Sequence, residues 1–408
     1  MICVILLVVI QGYRCDKIMD KNTVKKIMTF KSGVFVFSSK FFSEDITQLL
    51  VETKILHATI KDIPILPESF ASIEEDVIRK SIFGTAAIEG NPLKETDVQR
   101  VLSEKQKAEK LKDAEQQIKN LKDAYDGIHH FVDTYRQQAA EMLKRKEVSP
   151  FVITEDLIKW IHGLITNGIL PSTNIPGQYR NHPVKVGDKE HGGIDTPPKI
   201  FEDINQLMKE FCLWINSEEI IGLGPEIRAA LAHYHLGLIH PFGDGNGRTA
   251  RLIEAIILLS SGVKYAPLML SNFYYRNIDE YFMVFSQSRK NKEHVVTPFI
   301  RFMLRGMVES LREIKDRIIA FVRVLVLKNY YQRLKDTKKI SQRQYDLINS
   351  ISMPFVTEEL FDGKSPLCIV YRNISKRTAL RDLEKLIQMN ILTVTEDKKY
   401  MLNALMLG

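Results

Sequence analysis

Apolar side chains in the middle of this chain recur at helical spacing. From Pro225, a favourable first residue for a helix, they fall at Ile227, Ala230, Leu231, Tyr234 and Leu238, one face of a helix leading to His240-Pro241. Residues 248–259 are strongly apolar and free of Gly and Pro, and predict a second helix directly after a short polar loop. Thr154 is a suitable N-cap for a helix through Ile165 that carries Trp160 and His162. Upstream, residues 81–89 read as the last turns of a helix, with Gly90 as a left-handed cap and Asn91-Pro92 preventing continuation. Thr85 and Glu89 then share one face. Between Glu104 and Lys146, Leu111, Ile118, Leu121 and Tyr125 keep helical spacing in a Lys-, Glu-, Gln- and Ala-rich stretch, which predicts helices joined by a solvated connection. Residues 298–334 predict a long helix. Two short stretches break the helical pattern. Residues 33–42 form an apolar-aromatic patch, and Val184 and Val186 alternate with Pro183, Lys185 and Gly187, the period of a strand that Gly192-Gly193 can turn into a hairpin.

The last seventy residues differ in kind. Tyr345, Leu347, Ile348 and Ile351 predict a helix, followed by residues 356–360, a basic segment at 374–386, and apolar-polar strands at 391–394 and 399–402. Helix, helix, recognition-like helix and hairpin is the order of a winged helix, and Ser375-Lys-Arg-Thr with Arg381 resembles the recognition helix of that fold. From Lys328 onward there are fourteen Lys and Arg against nine Asp and Glu, which is +5 of the formal +7. Basic helices steer toward phosphates, but such modules also dock proteins. Residues 340–408 therefore leave both DNA and protein contact open.

At 408 residues, 45% hydrophobic and 26% charged, the chain expects two or three globular domains. Cys3, Cys15, Cys212 and Cys368 show no paired spacing, which argues against a disulfide framework or a zinc site and fits a reducing cytoplasm. The apolar run at residues 2–10 is too short to span a bilayer. It lacks a preceding Lys or Arg and a following small-residue cleavage site, so the expectation is a cytoplasmic protein with no membrane contact, Met19 and Met28 being alternative starts.

The densest chemistry lies at residues 240–251, His-Pro-Phe-Gly-Asp-Gly-Asn-Gly-Arg-Thr-Ala-Arg. Gly243, Gly245 and Gly247 alternate with polar residues, so left-handed backbone there can aim successive N–H groups at one anion. The following helix adds its positive end. Arg248 and Arg251 crowd cations into the first turn, a cost that an anion would relieve. Asp244 among these donors calls for a divalent cation, and Mg²⁺ takes one carboxylate plus phosphate oxygens. Pro241 is expected to hold His240 extended, where a neutral imidazole can accept a proton from a hydroxyl.

This segment resembles the Fic family signature His-x-Phe-x-Asp/Glu-Gly-Asn-Gly-Arg-x-x-Arg at His240, Phe242, Asp244, Gly245, Asn246, Gly247, Arg248 and Arg251. The resemblance implies transfer of AMP from ATP to a Ser, Thr or Tyr hydroxyl of a protein, the chain itself included. His240 would be the base, Asp244 the Mg²⁺ ligand, the backbone of 245–247 the anion hole, Arg251 the partner of the γ-phosphate and Phe242 the loop's anchor. Thr85-Ala-Ala-Ile-Glu89-Gly90 resembles the family's inhibitory motif, which implies that Glu89 occupies Arg251. Pro176-Gly-Gln-Tyr-Arg180 and residues 182–196 resemble its flap, whose Val184, Lys185 and Val186 would pair with an extended target segment. Arg276-Asn277 and the following residues resemble the border of the adenine pocket, with Asn277 a base or ribose contact, and His235 matches a position near the nucleotide. A metal trio of His233, His235 and His240 is not expected, because an i, i+2 pair points to opposite sides of a helix.

The expected fold is mainly α: a helical N-terminal section (1–150) with the inhibitory helix at about 72–90, a Fic-type helical core with a β-hairpin flap and the long helix after it (151–335), and a small α+β winged-helix domain (336–408). Alternatives are a hydrolase in which Glu89 activates water to remove AMP from a protein, and a DNA-binding regulator with a nucleotide-sensing core. A homodimer is open.

Overall fold

Helices dominate the computed structural model, which describes residues 23–64, 67–103, 112–144, 150–169 and 174–403. The apolar run at 2–10, Cys3, Cys15, Met19, Leu111 and the stretches 104–111 and 145–146 lie outside the described residues. The chain forms two compact units, the first through Lys315 and the second Asp316–Gly408. Among the described residues no helix is long and apolar enough to cross a membrane.

The first unit opens with a hairpin rather than a helix. Strand β1 (Val24–Met28) pairs antiparallel with β2 (Val34–Ser38), Val24 opposite Ser38 and Met28 opposite Val34. The apolar-aromatic patch is thus one strand of a pair, and Lys25 and Lys26 disguise the other. Asp203 holds the turn, accepting from the backbone N–H of Phe30 (2.7 Å), Lys31 (3.1 Å) and Ser32 (2.8 Å) and from the Ser32 hydroxyl (2.6 Å). Four donors on one buried carboxylate satisfy its charge without a cation.

Then follow α1 (Thr47–Asp62), α2 (Pro67–Ile88), α3 (Glu95–Ser103), α4 (Asp113–Lys144) and α5 (Glu155–Thr166). From Asp113 the charged stretch is one 32-residue helix instead of several, with Ile118, Leu121 and Tyr125 buried on one face. Thr154 caps α5, its side chain accepting from Leu157 N at 3.1 Å. Next come α6 (Phe201–Ile215), α7 (Glu218–Ile221), α8 (Pro225–Ile239), α9 (Asn246–Ser260), α10 (Pro267–Arg276), α11 (Ile278–Lys290) and α12 (Thr297–Asp336). Helices α8 and α9 are buried almost all round, which places them at the centre of the unit. Helix α2 lies along α10 so closely that a Cβ at Gly84 would sit 2.9 Å from the Asn272 Cα.

In the second unit, Ser341 and Gln344 form a capping box for α13 (Gln342–Ser350). A 3₁₀ turn (Thr357–Leu360), α14 (Leu367–Tyr371), α15 (Lys376–Gln388) and the antiparallel pair β3 (Leu392–Val394) and β4 (Tyr400–Leu402) complete it. Phe355 adds a bridge to Tyr400. Leu347, Ile348, Phe355, Leu360, Tyr371, Leu383, Leu386 and Ile391 share its core. Asp382 is buried there and accepts from Arg343 Nε (2.7 Å) and Gln344 Nε2 (3.0 Å).

Candidate active site

Helix α8 delivers His240 to the loop, though not in the extended backbone that Pro241 leads one to expect. His240 is left-handed, φ 50° and ψ 58°, and its N–H still bonds Leu236 O at 2.9 Å. Proline forbids the right-handed helical region to the residue before it, and a left-handed cap closes the helix while turning the chain. Arg180 holds this turn. Its Nε donates to His240 O at 2.8 Å, its other nitrogens reach His182 O and Pro198 O at 2.7 Å each, and its own N–H reaches Pro241 O at 2.9 Å. Burial lowers the Arg180 pKa to about 10.

The loop is rigid because its side chains face inward. Phe242 is fully buried and stacks on the His162 ring, centroids 3.7 Å apart and planes at 3°. His162 Nδ1 accepts from Gly177 N at 2.9 Å, so Nε2 carries the hydrogen donated to Asp244 O at 3.0 Å. One neutral tautomer satisfies both, and burial keeps the ring neutral with a pKa near about 4. Asn246 folds back to accept from Phe242 N and donate to Phe242 O, both at 2.9 Å, while Asn174 Oδ1 accepts from Asp244 N at 3.0 Å. Of the three expected left-handed glycines only Gly245 is so, at φ 77°. Gly243 passes against Asn174, and Gly247 already belongs to α9, where a Cβ would strike the Glu89 carboxylate. Lack of side-chain bulk, not backbone freedom, is what those two positions require.

Arg248 is buried and gives Nη2 to Asp244 Oδ2 at 2.7 Å, while its Nε and Nη1 have no hydrogen-bond partner among the described residues. Two buried guanidinium donors without an acceptor are costly, and an anion would satisfy them.

Arg251 is equally buried. Its Nε donates to Thr85 Oγ1 at 2.6 Å, and Nη2 donates to Glu89 Oε1 at 2.6 Å and to Thr85 O at 3.2 Å. Burial works against its charge, but Glu89 beside it more than offsets this and the pKa rises. The four-residue spacing brings both side chains to Arg251, and Gly90 closes the helix region at φ 79°.

Glu89, Gly247 and Arg251 border a cavity of about 160 Å³ together with His240, Val186, Phe282 and Phe285. His240 Nδ1 lies 3.3 Å from Gly237 O, an acceptor only, so this nitrogen carries the hydrogen and Nε2 keeps its lone pair. Burial lowers the His240 pKa to about 4. His233 and Tyr281 also line the cavity: His233 Nε2 meets the Tyr281 hydroxyl at 2.9 Å, and His233 Nδ1 meets Glu254 Oε2 at 2.6 Å.

His235, Asn277 and the flap differ from expectation. His235 points away from the cavity, packs on Phe37 and Trp214, and approaches Ser38 O at 3.0 Å. Asn277 caps α11 and spends its amide on Phe273 O at 2.9 Å, so the aromatic wall comes from Phe282 and Phe285 instead. The flap hairpin is reduced to one bridge, Val186 with Asp195, and Val184 and Lys185 are in no strand. Its turn closes through Gly193 N to Asp188 O at 2.6 Å. His162, Arg180, His233, Tyr281, Phe282 and Phe285 carried no local signal of a role, since each acts through partners distant in sequence.

Helices of the first unit present a histidine, a glycine-lined loop and two buried arginines together. The Fic/DOC family profile matches residues 152–258. Over 153 residues it is 33% identical to a protein adenylyltransferase Fic of Culex quinquefasciatus, covering 38% of this chain and 27% of the relative. A protein of the same name from Drosophila erecta is 37% identical over 127 residues, 31% of this chain and 23% of the relative. The chain thus spans about a quarter of the length of these curated relatives. Among solved structures, a Fic family protein from Desulfovibrio desulfuricans G20 aligns over 88% of this chain and 96% of its own at TM-score 0.53 and 18% identity. Fic-1 (residues 134 to 508) of C. elegans aligns over 69% and 74% at TM-score 0.51 and 22% identity, a likeness of fold.

Proposed function

We propose that this chain is a protein adenylyltransferase, moving AMP from ATP to a Ser, Thr or Tyr hydroxyl of a protein, and that Glu89 restrains it. The observation that carries this reading is the single cavity shared by a neutral His240, the N-terminus of α9 and Arg251. The relatives named adenylyltransferases support it.

In this reading the triphosphate lies against the N–H groups at the start of α9, where the helix dipole and the orphaned Arg248 donors favour an anion. Arg251 takes the γ-phosphate, and the base packs between Val186 and the rings of Phe282 and Phe285. The incoming hydroxyl oxygen bonds to the α-phosphorus, its proton passes to His240 Nε2, and the bond from that phosphorus to pyrophosphate breaks. General-base help of this kind is worth roughly 10²–10⁴ in rate. Asp244 is the loop's carboxylate, half exposed, and would hold Mg²⁺, which supplies charge neutralisation of the phosphates when bound. Among the described residues no cluster of three acidic, His or Cys side chains surrounds a point, which fits an ion whose remaining ligands are phosphate oxygens and water.

Glu89 competes with the γ-phosphate for Arg251, and Thr85 fixes the arginine for that contact. Val186 borders the same cavity, and residues 184–186 would align a target strand beside it. The second unit, with its three helices, a hairpin and exposed Lys376, Arg377 and Arg381 on α15, supports a winged helix that selects a partner. The deciding experiment supplies ATP labelled at the α- or the γ-phosphate to the Glu89→Gly protein. Covalent label from the α-position alone is expected; label from γ alone would mean phosphoryl transfer instead.

A further inference from the structure

Behind Arg251 lies a second carboxylate that the proposed chemistry does not use. Glu254, on the next turn of α9, is 1% exposed and accepts from the Tyr274 hydroxyl at 3.0 and 2.9 Å. Its Oε2 is also 2.6 Å from His233 Nδ1, and His233 Nε2 is 2.9 Å from the Tyr281 hydroxyl. A carboxylate accepts only, so Nδ1 carries a hydrogen. In the neutral ring Nε2 then accepts from Tyr281, which leaves the Tyr281 oxygen with lone pairs to offer Arg251, a residue lining the same cavity. Every member is buried, and an unmet partner in such a chain is expensive.

We infer that Tyr281 and His233 are positioning residues that link Arg251 back to Glu254, so the guanidinium stays aimed into the cavity once Glu89 withdraws. The relay rests on the reading of Arg251 as the γ-phosphate partner and adds what keeps it in place. Without it, a buried cation deprived of Glu89 would have, among the described residues, only Thr85 as a side-chain partner, and that residue shares the helix that must move. Tyr274 and Tyr281 are stacked at 5.0 Å and 10°, so Tyr281→Phe removes the hydroxyl and keeps the packing.

The test compares ATP and ADP binding by calorimetry in the full chain carrying Glu89→Gly, alone and combined with Tyr281→Phe, His233→Gln or His233→Ala. ATP should bind roughly tenfold more weakly to the Tyr281→Phe combination, the loss of one charge-assisted contact, while ADP changes less than about twofold. His233→Gln, whose amide can both donate and accept, should keep more of the ATP preference than His233→Ala. Equal weakening of ATP and ADP, or no change in either, would overturn the relay, and thermal unfolding of Tyr281→Phe separates this from loss of fold. Failure of Glu89→Gly itself to bind ATP would overturn the site reading and the relay with it, whereas a lost preference confined to the double variants speaks to the relay alone.

Discussion

Glu89 and Arg251 stand 162 positions apart in sequence, yet their side chains meet at 2.6 Å. The guanidinium is almost fully shielded while the carboxylate is a quarter exposed, so the acid can leave into solvent but the base cannot follow. If this contact restrains turnover, Glu89→Gln, which keeps the size and removes the charge, should raise self-modification with labelled ATP by about tenfold or more, the value of a charge-assisted bond. A rate equal to wild type would remove the restraint from Glu89.

Gly84 offers the same test away from the cavity. A methyl group there meets the α10 backbone, so Gly84→Ala should push α2 outward and loosen the Glu89 contact. Basal self-modification should rise, by less than in Glu89→Gln. If the rate is unchanged while the variant remains folded by circular dichroism, α2 accommodates the methyl group without shifting Glu89.

His240→Ala should lower labelled-AMP transfer by roughly 10²–10⁴, the range for a lost general base. ATP affinity should stay within a few-fold in the Glu89→Gly background, since the imidazole touches the hydroxyl rather than the phosphates. Retained transfer in that double variant would assign the proton to another acceptor.

Acid should destabilise the fold within a defined window. Burial lowers the pKa of His162, His235 and His240 to about 4 each, from the ordinary 6.5. The unfolded chain therefore takes up protons first as pH falls. Stability is fully present above about pH 6.5 and declines progressively toward about pH 4, by at most roughly 3 kcal/mol per histidine. Thermal midpoints measured from pH 7.5 to 4.5 should fall steadily below 6.5; a flat profile would mean these rings are solvated.

The loop at 240–251 was legible in sequence because its chemistry is contiguous: histidine, carboxylate, glycines and arginines lie within twelve residues. Thr85 and Glu89 were legible because four residues make about one helical turn. What was not legible depends on tertiary partners. His233 and His235 are two apart on a helix buried all round, and nothing local says that the first faces the cavity and the second the hairpin. His162 and Arg180 act on backbone atoms 60 or more residues away. Asn277 had the right residue type at a helix start, but its amide donates to the Phe273 carbonyl of the preceding helix. Two lysines in β1 hid a strand, and the flap's alternation lacked a neighbour beyond Asp195.

The docking of α2 on α10 has a quantitative corollary. A carboxylate carried on a 22-residue helix and docked beside its arginine behaves as a ligand at very high effective concentration, in the millimolar range or above for tethered groups. If the proposed activity is restrained in this way, raising nucleotide supply is a weak lever on it, whereas any partner that peels the helix from α10 lowers that local concentration at once. Such a protein answers to what it touches more than to how much fuel surrounds it.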